Sequence, residues 1–231
     1  MRNVFRLIRP SSLVILLIAS MVSYYYLKST GISDLTSMYQ TIFGGKPLNG
    51  PLLKGLFVMM LSLLQYTLID YIVYYIDGFE YLSIRYGNKN KWLKDLLKGV
   101  FIYTATFVIL FYLFGLLFDF IYNNFMFVQT EIIILVGVVL RIFLFCIVIV
   151  LLQIFLLLMY TKTSVFIISG GISILLAMTS HYEGSVLYIL PRSSSPLNLL
   201  FDVLKSIVLA IVLITLIQKI NLKRELIPHE D

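Results

Sequence analysis

Six long apolar runs alternate with shorter polar stretches along this chain, at about Ser12 to Leu27, Gly55 to Ile76, Gly99 to Phe120, about Ile132 to Tyr160, Thr163 to Ser180 and about Val203 to Ile217. A bilayer core of about 30 Å is crossed by about 20 helical residues. The pattern therefore predicts an all-α integral membrane protein with six transmembrane helices in a single transmembrane domain. The fourth run exceeds one crossing and is expected to tilt or project, whereas the first and last are short and expected to be flanked by interfacial structure.

The polar stretches have patterns of their own. In Met1 to Pro10, Arg2, Arg6 and Arg9 fall within about 60° of arc at about 100° per residue, opposite Val4, Leu7 and Ile8. This predicts an interfacial helix over residues 1–10 with its arginines toward anionic lipid, ended by Pro10-Ser11-Ser12. An Arg-rich start before an apolar run also fits a secretory signal. Tyr24-Tyr25-Tyr26 stands where cleavage needs small residues, so retention is expected. Between the second and third runs, residues 77–98 form the longest charged stretch between two spans. Phe79, Leu82 and Tyr86 are spaced i, i+3, i+7 in its first part. In its second part Trp92, Leu93, Leu96 and Leu97 interleave with Lys91, Lys94, Asp95 and Lys98, a pattern that puts the indole and the lysines at the interface. Gly87-Asn88 supplies the turn between the parts. A loop merely anchored to lipid is the plainer reading of the same residues.

Composition sharpens the class. The chain of 231 residues is 60% hydrophobic and only 13% charged, against about 25% charged in soluble domains. Its mean hydropathy is +0.95. Six spans leave no room for a soluble domain, so any energy source is expected in another chain or an ion gradient. The net charge of +6 does not imply nucleic acid, because the basic residues cluster beside the spans. With the N-terminus inside, the inner side holds Arg2, Arg6, Arg9, Arg85, Lys89, Lys91, Lys94, Lys98, Lys162, Lys219, Lys223 and Arg224; the outer side holds Lys28, Lys46, Lys54, Arg192 and Lys205. The excess of inner cations predicts that both termini are cytoplasmic. The outer stretch His181 to Lys205 is rigid and polar at Pro191 to Pro196, and its flanks Val186 to Leu190 and Leu197 to Phe201 are either surface loop or short re-entrant pieces.

Polar residues inside the spans carry the remaining chemistry. Gln65, Asp70, Arg141 and Gln153 could line a polar path. Depths counted along the helices separate Asp70 from Arg141 by about 11 Å, so Arg141 is expected to snorkel toward Asp119 or Glu131, with Asp119 preferred as a structural partner. Cys146 is expected to be a small buried residue and Gly170-Gly171 to permit close helix packing. His181, Glu183 and His229 form no three-ligand set on one side of the membrane, so no metal is expected. No phosphate-binding loop is present either, since Gly44-Gly45-Lys46 lacks the spacing.

Taken together, an interfacial N-terminal helix, six spans with both ends inside, a cytoplasmic helix between spans 2 and 3 and a longer outer segment between spans 5 and 6 resemble the permease subunit of an ABC-2-type (type V) exporter. The string Glu80-Tyr81-Leu82-Ser83-Ile84-Arg85-Tyr86-Gly87-Asn88-Lys89-Asn90-Lys91-Trp92 is similar to the acidic, Arg-Tyr-Gly, basic-Trp pattern of small Firmicute permeases linked to peptide antibiotic export or immunity. The outer segment Lys28 to Lys54 is longer than that pattern has. The resemblance implies a bacterial plasma-membrane protein that is not itself an enzyme. Its partners would be a separate ABC ATPase, which holds ATP and Mg, and a second permease, identical or homologous. Phe79, Glu80, Leu82, Arg85, Tyr86, Gly87, Asn88, Lys91 and Trp92 would couple it to that ATPase. Two alternatives stay open: a six-span substrate-binding component of a vitamin-type importer, and an ion-coupled carrier or pore. The first lacks the expected Ala-x-x-x-Ala surface in span 1, and the second needs Asp70 or Arg141.

Overall fold

Three helix starts are written in proline. Pro is pre-set for the first helical position, where its missing N–H has no partner to lose, and helices α1 (Pro10–Ser29), α2 (Pro51–Asp77) and α6 (Pro196–Lys223) each open on one. Between them lie α3 (Lys89–Asn123), α4 (Ile132–Leu157) and α5 (Lys162–Met178). The computed structural model describes residues 10–29, 51–77, 89–123, 132–178 and 196–223. Among these residues there is helix and no strand. The N-terminal arginines Arg2, Arg6 and Arg9, and the segment from Phe79 to Asn88, lie outside the described residues.

Four helices, α2, α3, α4 and α6, are long and apolar enough to cross a membrane, while α5 and the apolar part of α1 are shorter. This is the construction of a helical membrane-embedded protein. Hydroxyl groups within the helices return to their own backbone: Ser20 to Leu16 O at 2.8 Å, Ser23 to Ala19 O at 2.7 Å, Thr67 to Leu63 O at 2.9 Å and Ser173 to Ser169 O at 3.0 Å. Each donor is thereby satisfied without water, the condition that an apolar solvent imposes.

The bundle is organised on α2 and α4. Helix α2 packs against α1, α3, α4 and α5, and α4 against α2, α3, α5 and α6. Phe57 meets Phe145 at 6.3 Å between ring centroids, and Gln153 meets Gln65, so α2 and α4 run parallel in one register. Helix α6 packs chiefly on α4 and leaves Leu204, Val208 and Ile211 among its exposed apolar residues. A tight turn over Leu158 to Tyr160 joins α4 to α5, with Tyr160 N donating to Leu156 O at 2.8 Å. At the start of α5, Val165 N donates to Thr161 O at 3.0 Å.

The basic helix that leads back into the membrane and the third span are one continuous helix of 35 residues, about 52 Å long. A lone glycine costs a helix about 1 kcal/mol but does not break it. Leu197 to Phe201 is neither loop nor re-entrant piece, since Pro196 initiates α6 and nothing downstream stops it before Lys223. Helix α4 ends at Leu157 rather than Tyr160.

Candidate functional site

The polar side chains gather into two groups at opposite ends of the bundle. At the end where α2 finishes, Asp70 pairs with Lys162 Nζ at the start of α5, Oδ1 to Nζ 2.5 Å, with both side chains about half exposed. One turn earlier Tyr66 meets Phe166 edge-on at 6.1 Å, which fixes α2 and α5 as antiparallel neighbours.

Beyond that level α2 and the start of α3 form a helical stem. The Trp92 indole donates from Nε1 to Tyr75 O at 3.0 Å and is 2% exposed. The indole, which the apolar wheel of residues 91–98 puts at the membrane interface, is buried against α2. Its reach to a carbonyl in the last turn of α2 satisfies one of the acceptors that a helix end leaves open. Tyr71 lies over Gly99 so closely that a Cβ there would overlap the phenol, and the Tyr71 ring packs tilted against Tyr75 at 4.9 Å. Glycine leaves the room that the Tyr71 side chain occupies, and backbone conformation does not demand it. Lys91, Lys94 and Lys98 are exposed on the stem, while Leu93 and Leu96 are buried.

At the other end Arg141 and Asp202 form an ion pair between α4 and α6, Nη1 to Oδ2 3.4 Å, with side chains 1% and 5% exposed. Asp202 lies in the second turn of α6, a position that the sequence pattern leaves in a loop. Arg141 thus has a partner in Asp202 that the sequence pattern does not suggest; the side chain of Asp119, the expected partner, lies outside the described residues. A charge buried alone would cost several kcal/mol, and pairing offsets that cost.

Of the four intramembrane polar candidates, Gln65 and Gln153 come together, Gln153 Nε2 donating to the backbone carbonyl of Gln65 at 3.0 Å. Both side chains are buried, at 2% and 0% exposure. Asp70 and Arg141 are held apart by different partners, as their depths require. Cys146 is buried and free. Gly170 and Gly171 do not mediate close packing, because a Cβ at either would meet nothing within 4 Å. The close approach is at Gly99, which the apolar pattern marks only as the start of a span.

Among the described residues no group of three His, Cys, Asp or Glu side chains could hold a metal ion. The chemistry present is that of helix joining: a buried ion pair, a buried amide bridge and an exposed ion pair beside a basic stem. No family model, curated protein or solved structure matches the chain.

Proposed function

We propose that this chain is the permease subunit of an ABC-2-type transporter in a bacterial cell membrane, with six spans and both termini cytoplasmic. The single observation that carries the reading is the stem. Residues 78–88 join two helices that are clamped to each other by Trp92 on Tyr75 O and by Tyr71 over Gly99, and α3 continues unbroken from the stem into its apolar length. A force applied to that connecting segment passes into two spans without a joint. The excess of cations on one side supports a cytoplasmic stem.

In this reading a separate ATPase binds ATP and Mg, closes, and pushes on the segment from Phe79 to Trp92. The N-terminal helix with Arg2, Arg6 and Arg9 rests on the inner headgroups. A second permease, identical or homologous, completes the pathway. The cargo class is an amphipathic or hydrophobic substrate, antimicrobial peptides included, expelled outward.

The test is purification of the tagged protein from its native host in mild detergent. An ATPase chain is expected to accompany the wild type and to be lost from Glu80→Ala and Arg85→Ala while membrane insertion stays normal. Repeated recovery of the intact chain alone, from membranes that contain the ATPase, would overturn the proposal.

A further inference from the structure

We infer that the stem carries a binding surface for anionic phospholipid headgroups, built on Lys94 and Lys98 of α3, with Tyr74 of α2 at a similar depth. The inference concerns the stem itself and holds whether or not an ATPase docks on the segment beyond it.

The argument is one of depth. Tyr71 lies over Gly99, and its neighbour Asp70 pairs with Lys162, so Lys98, Asp70 and Lys162 share one level. Exposed apolar side chains of α5 begin four residues to one side of that level, at Phe166 and Ile167, and exposed charge begins at it. Half-exposed charges are not left facing hydrocarbon, so this level is the edge of the apolar core. The headgroup layer beyond such an edge is about 5–8 Å thick. Measured from that level, Lys94 lies about 6 Å past Lys98 along α3 and Tyr74 about 6 Å past Asp70 along α2. Both are inside that layer.

The chemistry fits the place. Lys94 and Lys98 are one turn apart on one face of α3, and both are exposed. Asp95 is partly buried about 100° round the helix from Lys94, and Lys162 is engaged by Asp70. Asp77 and Lys91, at the tip of the stem, lie about 10 Å or more beyond the level and outside the layer. Among the described residues of the stem, Lys94 and Lys98 are thus the two exposed ammonium groups within the layer, one turn apart and in reach of one phosphodiester. Tyr74 is 64% exposed and braced edge-on against Tyr75 at 5.9 Å, which offers an amphipathic ring at headgroup depth. An acidic protein surface would complement the same lysines, but their depth favours lipid.

The test is native mass spectrometry of the full-length protein in mild detergent, titrated with phosphatidylglycerol or phosphatidylcholine. The tightest phosphatidylglycerol binding is expected to weaken about fivefold for each of Lys94→Gln and Lys98→Gln, with phosphatidylcholine binding unchanged. Lys94→Arg with Lys98→Arg should retain it. Binding undiminished in the double Gln variant would place the lipid elsewhere, on the N-terminal arginines for instance, and overturn the inference. Equal affinity of the wild type for the two lipids would overturn it too, and would turn attention to an acidic protein partner. Wild-type unfolding temperature in the double Gln variant without lipid confirms that the fold is intact.

Discussion

The Arg141–Asp202 and Asp70–Lys162 pairs use the same charges at opposite ends of one bundle, yet their surroundings make them different devices. The first is almost wholly enclosed, at 1% and 5% exposure; the second is open, at 40% for Asp70 and 53% for Lys162. An enclosed pair matters through what its loss leaves behind, an uncompensated charge in an apolar medium. An open pair is weakened by solvent and by the entropy of its long side chains, and contributes about 0–1 kcal/mol. The α6 attachment, though packed on α4, is thus sensitive to the loss of either charge, whereas the stem end rests on neutral packing.

That contrast can be broken experimentally, beginning with the enclosed pair. Arg141→Leu or Asp202→Leu is expected to lower stability by about 3–5 kcal/mol, and the double substitution to recover most of it, measured by unfolding in mixed micelles. Recovery would show that the pair specifies where α6 sits more than it adds net stability. At the stem, Gly99→Ala is expected to cost about 1–3 kcal/mol, because Tyr71 is buried and packed against Tyr75 and has little room to yield. Gly171→Ala, whose Cβ meets open space, should cost nothing and gain up to about 1 kcal/mol of helix propensity. Trp92→Phe removes the bond to Tyr75 O and is expected to cost about 0.5–1.5 kcal/mol in the same assay. Lys162→Gln comes last, at about 1 kcal/mol or less and diminishing with added salt. If Lys162→Gln proved more costly than Gly99→Ala, the division between a charge-sensitive end and a packed end would fail.

The apolar pattern made the spans legible because a helix in lipid must be apolar over its length. It was less informative about polar residues near helix ends. The serines and Pro196 before Asp202 read as a connector, whereas Pro196 is the start signal of α6. With Asp202 read as loop, Asp119 near the end of the neighbouring span is the acid that the pattern offers to Arg141. Lys98-Gly99 marks a change of composition inside one helix, since neither residue stops it. The wheel of α3 alone does not show that Trp92 is enclosed; the approach of α2 does. Gly99 and Gly170-Gly171 are indistinguishable in sequence, because what separates them is the neighbour each one meets.

Helix α3 has a mechanical consequence. It is a single rod with about 15 Å on the Lys89 side of Gly99 and about 36 Å on the Asn123 side, packed on α2 near Gly99 and on α1 and α4 farther along, where Phe118 meets Tyr24 and Phe101 meets Phe143. A displacement of its short end is therefore shared with three neighbours. Motion entering through the stem would spread across the bundle and not stay with one helix.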